Sequence, residues 1–174
     1  MTKKEIQPLL TSAYGDFLAR LRQMPDVQAH MAAPGKWSPA QQAEHLVKSV
    51  RPVTLAFGLP KFLLPLIFGK ANRPSRSYEE LVARYQAKLA AGGTASRPFV
   101  PGVPRNLKRI YARLGRTVDA LNRRIERFSE NELDGLILPH PLLGKITLRE
   151  MLYFTAYHAE HHRRLIETSH PSDH

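Results

Sequence analysis

Polar and apolar positions alternate with helical spacing through the last part of the chain. With His158 taken as zero on a wheel of about 100° per residue, Leu148, Met151, Thr155, Leu165 and Ile166 fall between about −20° and 80°. Glu160, Arg163 and Arg164 point away from that stripe. A second stripe, Leu46, Val50, Val53 and Phe57, marks another helix. Capping boxes, a Ser or Thr three residues before a Glu or Gln, show where helices begin, because each satisfies two backbone N–H groups that a helix start leaves without partners.

Thr2 with Glu5 opens a first helix to about Met24, before Pro25. Ser38, with Pro39 at the first helical position and Gln41, opens a second. Ser77 with Glu80 opens a shorter third, ending near Ala91 before Gly92 and Gly93. A long helix is expected from about Arg105 to Phe128, and Thr147 with Glu150 opens the last, which ends before Pro171. No alternating run is followed by a hairpin turn, so no strand is expected. The fold class is all-α: a four-helix bundle in which the segment from Phe57 to Pro104, too long for a turn, is a crossover carrying the short extra helix. A chain of 174 residues suits one domain, read as 1–168 with a C-terminal tail over 169–174.

The most apolar segment, Leu55 to Gly69, is interrupted by Pro60, Lys61 and Pro65 and is shorter than the roughly 20 residues a bilayer requires. It reads as a buried or partner-facing excursion, and its FLLPLIF core favours a homodimer contact. MTKKEIQPLL lacks the pattern of a secretory signal, so a cytoplasmic protein is the plainer expectation.

Charge and cysteine count narrow the chemistry. Lys and Arg number 26 against 15 Asp and Glu, a net charge of +11. Such an excess favours anionic partners, yet the arginine pairs of LNRRIERF and HHRRLI lie on outer helix faces, and no helix-turn-helix pattern accompanies them, which disfavours nucleic acid. There is no cysteine, so any metal is held by nitrogen and oxygen.

Three histidines crowd YHAEHHRRLI. His158 and His162, at zero and about 40°, face the core, while His161, at about −60°, sits on the stripe's edge. An i, i+4 pair places two imidazoles within reach of one ion; a pair of hydrogen-bonded core histidines is the competing reading. On the second helix His45 lies at the stripe's edge with Gln42 and Ser49. His45, His158 and His162 together describe an open, nitrogen-rich site with coordination left for water or substrate. His30 falls in a loop, His170 and His174 in the tail, and His140 in a turn beside Pro139 and Pro141, with an approach to the mouth of the site as the alternative. No catalytic acid or base can be assigned; His161 and Tyr153 are candidates only.

The blocks KWSPAQQAEHLV and HPLLGKITLREMLYFTAYHAEHH resemble the DinB/YfiT-like superfamily of metal-dependent four-helix-bundle enzymes. The resemblance implies one divalent metal ion per chain, zinc or nickel, held by three histidines that map onto His45, His158 and His162. It further implies a small-molecule substrate and transfer of a low-molecular-weight thiol to an electrophile, with metal-dependent hydrolysis as the alternative. A bundle that binds metal without catalysis is a further reading.

Overall fold

In the computed structural model, which describes residues 1–170, every capping box read from the sequence is formed. The long helices are α1 (Lys3–Arg22), α3 (Pro39–Ala56), α6 (Leu107–Ile125) and α8 (Leu148–Ser169). Between them lie α2 (Asp26–His30), α4 (Leu63–Ile67), α5 (Tyr78–Ala90), a 3-10 turn (Arg97–Phe99) and α7 (Glu130–Gly135). Pro171 and His174 lie outside the described residues.

The four long helices form the bundle. α1 packs on α6 and α8, and α3 packs on α6 and α8, with α3 and α8 the least closely packed of these pairs. Their buried faces, such as Ile6, Leu10, Phe17 and Leu21 on α1 and Leu114, Val118 and Leu121 on α6, join one apolar cluster. The crossover carries more than the one short helix expected: α4 and the 3-10 turn accompany α5, which lies against α8. The FLLPLIF segment is divided. Leu64 is fully buried, whereas Phe62, Leu66 and Ile67 are 68%, 77% and 57% exposed.

The expectation of no strands is corrected. β1 (Ile137–His140) and β2 (Gly144–Thr147) form an antiparallel hairpin, pairing Ile137 with Thr147, Leu138 with Ile146, Pro139 with Lys145 and His140 with Gly144. Four-residue strands, one interrupted by proline, give no legible alternation. Gly144 closes the turn at φ +75°, where a side chain would be strained. The hairpin ends at Thr147, whose hydroxyl accepts from the Glu150 N–H as the N-cap of α8, so strand and helix share a boundary.

A buried carboxylate ties the crossover to that boundary. Glu150 is completely buried and accepts two 2.8 Å bonds from Arg73, 2.9 Å and 3.1 Å bonds from the Arg76 backbone N–H and guanidinium, and a 2.9 Å bond from the Thr147 N–H. Burial pushes its carboxyl up, but these donors outweigh that and hold it below its ordinary pKa. Beside it, Arg149 spans Glu130, Asp134 and the Met1 carbonyl.

Candidate metal centre

α3 and α8 run antiparallel where they meet, so Gln42 stands beside His162 and His45 beside His158. The His158 Nε2 lies 3.1 Å from the Nε2 of His45 and 3.1 Å from that of His162. The potential ligand atoms of the three residues all lie within 4.8 Å of one another, and all three rings are buried.

Protons decide what this cluster wants. His45 Nδ1 lies 2.8 Å from the Phe99 carbonyl oxygen, which can only accept, so Nδ1 carries the proton and Nε2 presents a lone pair. The Gln42 amide donates from its nitrogen to the Trp37 carbonyl, which turns its oxygen toward His162 Nδ1 at 2.9 Å. The His162 Nε2 is therefore a second lone pair. His158 can offer its Nε2 proton to only one of them, leaving a close contact short of a donor. A cation meets all three lone pairs together, and nitrogens about 2.0–2.1 Å from one ion are about 2.9–3.4 Å apart for right-angled to tetrahedral coordination. The donor set thus fits a divalent metal, and the hydrogen bonds that His45 and His162 donate to the Phe99 carbonyl and the Gln42 amide oxygen are of the kind that orient ligating imidazoles.

Burial also keeps the rings neutral. It pushes His158 and His162 well below the ordinary histidine pKa, with their neighbours' charges adding to the effect, and lowers His45 despite its bond to Phe99. His161 is lowered too, by burial and then by Arg164. It lines the cavity between Tyr85, Tyr157 and His162, outside the three-nitrogen cluster.

The cavity beside the histidines measures about 860 Å³. Tyr85 of α5, Phe99, Leu138 and Phe154 stand in its wall. Leu165, placed on the apolar stripe by the wheel, is 44% exposed and lies at this cavity. Tyr153 is removed from consideration as an acid or base: it packs on Tyr78, donates to the Met1 carbonyl and does not line the cavity. His30 ends α2 instead of lying in a loop and spans the Asp26 and Pro104 carbonyls.

His140 belongs both to the turn and to the cavity wall. Its Nδ1 accepts from the N–H groups of Leu142 and Leu143, at 3.2 Å and 3.1 Å, and burial pushes its pKa down to about 4. The unfolded chain takes up this proton near pH 6.5, so between the two values the unfolded state binds more protons. Stability is then expected to fall as pH drops from about 6.5 to about 4, by about 3 kcal/mol from this residue, and to lose nothing more from it below that. His140→Gln keeps an acceptor but does not titrate. Its denaturant midpoint should fall less steeply over that interval than the wild type's; equal slopes would refute the assignment.

Gln42 gives a second test. Gln42→Leu keeps the volume but loses the acceptor that orients His162, and metal affinity should weaken roughly 10–100-fold in chelator competition. Unchanged affinity would show that the amide does not support the ligand.

Fold and site together define a four-helix bundle with an open three-imidazole centre at its loosest seam. A sequence profile of the DinB superfamily matches residues 9–166, and the chain belongs to that superfamily. Among solved structures, TT2238, a four-helix bundle protein, shares 18% identity at a TM-score of 0.62, covering 96% of this chain and 99% of its own. YfiT from Bacillus subtilis, described as a probable metal-dependent hydrolase with an unusual four-helix bundle topology, shares 18% identity at a TM-score of 0.64, covering 98% of this chain and 89% of its own. No curated protein matches.

Proposed function

We propose that this protein is a metal-dependent enzyme that joins a low-molecular-weight thiol to an electrophilic small molecule, with His45, His158 and His162 as the metal ligands. The observation that carries this reading is the convergence of three Nε2 atoms whose rings are oriented by the Phe99 carbonyl and Gln42. A divalent ion, zinc or nickel, held by neutral imidazoles keeps its full charge and supplies a Lewis acid that lowers the pKa of a thiol or water.

Two features of the chain favour the thiol. Among the described residues no Asp or Glu lines the cavity, and none there has the place of the glutamate base that accompanies paired histidines in zinc proteases. A thiol, with a pKa of about 8.5, needs less help to lose its proton than water does. In this reading His161, whose pKa burial lowers and which lines the cavity, takes that proton. Hydrolysis is the second reading, supported by the likeness to YfiT.

The test is elemental analysis of gently purified protein, followed by assays of zinc- and nickel-loaded protein with chromogenic electrophiles and a panel of thiols. About one ion per chain and thiol-dependent loss of the electrophile are expected. Ester or amide cleavage without thiol would favour hydrolysis, and no ion after loading would overturn both readings.

No helix among the described residues is long and apolar enough to cross a membrane, and a cytoplasmic setting is part of the proposal. So is a homodimer across Phe62, Leu66 and Ile67. Static light scattering should give twice the 19.7 kDa chain mass, and a monomer at high concentration would exclude that contact. Of the two arginine pairs, Arg163 and Arg164 are engaged with Glu160, and Arg124 with the Thr54 carbonyl.

A further inference from the structure

The cavity wall is mostly apolar on one side of the histidines and mixed on the other. α3 contributes Gln42, His45, Ser49, Pro52, Val53 and Ala56 in turn, and α8 contributes Met151, Phe154, His158, His161, His162, Leu165, Thr168 and Ser169. Because the two helices run antiparallel, Val53 and Ala56 lie on the same side of the histidines as Met151 and Phe154. Phe68, Leu138 and, against the Phe154 ring, His140 also line the cavity. Ser49 is the one hydroxyl on α3 in this direction, and it is spent on the His45 carbonyl at 2.9 Å. Toward the other end of both helices Trp37 and Leu165 still line the wall, but polar groups join them: Lys36, Thr94 and Ser96, with Thr168 and Ser169 bonded to their own helix carbonyls.

The dimensions follow from helix rise. From His158 to Met151 is about 10 Å along α8, and from His45 to Ala56 about 16 Å along α3. A short polar substrate would leave this limb holding water against hydrocarbon. A cationic substrate would find Lys36 in the wall and, among the described residues, no carboxylate.

We propose that the substrate is an elongated amphiphile: an apolar tail of about 10 Å or more fills the limb walled by Val53, Ala56, Phe68, Leu138, Met151 and Phe154, and an uncharged or anionic end lies toward Lys36 and Thr94. This rests on the reading that the three histidines form the reaction centre, which they flank on both helices. The volume of about 860 Å³ exceeds what a small thiol alone requires and lies in the range of sites for drug-sized molecules.

The experiment is a chain-length series. Straight-chain alkyl carboxylates of increasing length are titrated calorimetrically into metal-free and zinc-loaded protein. Affinity should rise up to roughly fourfold per methylene, the equivalent of about 0.8 kcal/mol, and level off once the tail outgrows the limb. Ala56→Trp, which places a bulky ring in the limb, should move the plateau to shorter chains, and Met151→Ala should move it to longer ones. Melting temperatures confirm folding, and either variant alone reads the limb if the other does not fold.

Affinity independent of chain length, or a plateau unmoved in both variants, would overturn the apolar-tail assignment. Alkylammonium ions binding as tightly as carboxylates of equal length would overturn the choice of head group. Failure to take up metal, with the length dependence intact in metal-free protein, would sink the catalytic reading and leave the amphiphile site standing.

Discussion

Replacing His158 by alanine is expected to abolish tight metal binding, a loss well beyond the roughly 100-fold that removing an outer hydrogen-bonding partner costs. His158 is the residue whose Nε2 faces both other ligands at 3.1 Å, so its removal leaves His45 and His162 without the nitrogen between them. α8 should survive, because alanine is a strong helix former and its capping box and apolar contacts lie elsewhere. His162→Ala should behave in the same way. His161→Ala should retain the metal, because its ring lies outside the cluster, while losing turnover if it carries the proton. Metal titration of the three variants with circular dichroism checks this. Metal lost in His161→Ala but kept in His162→Ala would require the i, i+3 pair instead.

The largest change in stability is expected at Glu150. Glu150→Ala strips the acceptor from Arg73, Arg76 and the Thr147 N–H and removes half of the α8 capping box. Breaking one side of a buried ion pair costs about 3–5 kcal/mol. Here the lower end applies, because the Arg73 and Arg76 side chains are 31% and 26% exposed and water can reach them. A loss of about 3 kcal/mol corresponds to a melting temperature lower by roughly 10 °C in a domain of this size. Thermal unfolding of the metal-free protein measures it without interference from the ion. A shift of less than about 2 °C would mean that the clamp contributes little to stability.

Much of the bundle was legible because its information is local. The boxes at Thr2, Ser38, Ser77 and Thr147 act over three residues and can be read without knowing any tertiary contact. Ser129 with Glu132 forms another such box, but it opens a helix of only six residues, too short for an apolar period to confirm it. The hairpin escaped notice for the corresponding reason in strands.

Pairing across distance was harder to read. His158 and His162 are visible on a single wheel, and His45 at a stripe edge, but their meeting spans 113 residues. The Phe99 carbonyl that orients His45 is a backbone atom with no residue-type signal. Glu150 could be recognised as a capping residue from its spacing to Thr147. Its second role, gathering Arg73 and Arg76 from 77 and 74 residues away, depends entirely on how the crossover folds back.

The hairpin beside the cavity has a consequence for association between molecules. A two-stranded sheet has an outer edge on each strand, and an open edge is a template on which another chain can extend the ladder. Here the middle of β1 is Pro139, which has no N–H to offer, and its partner across the ladder is Lys145, a charge that a second strand would have to desolvate. The start of the hairpin is covered as well, by the Lys70–Leu136 bridge. Both residues therefore work against extension of the ladder by a second molecule when the protein is crowded in concentrated solution.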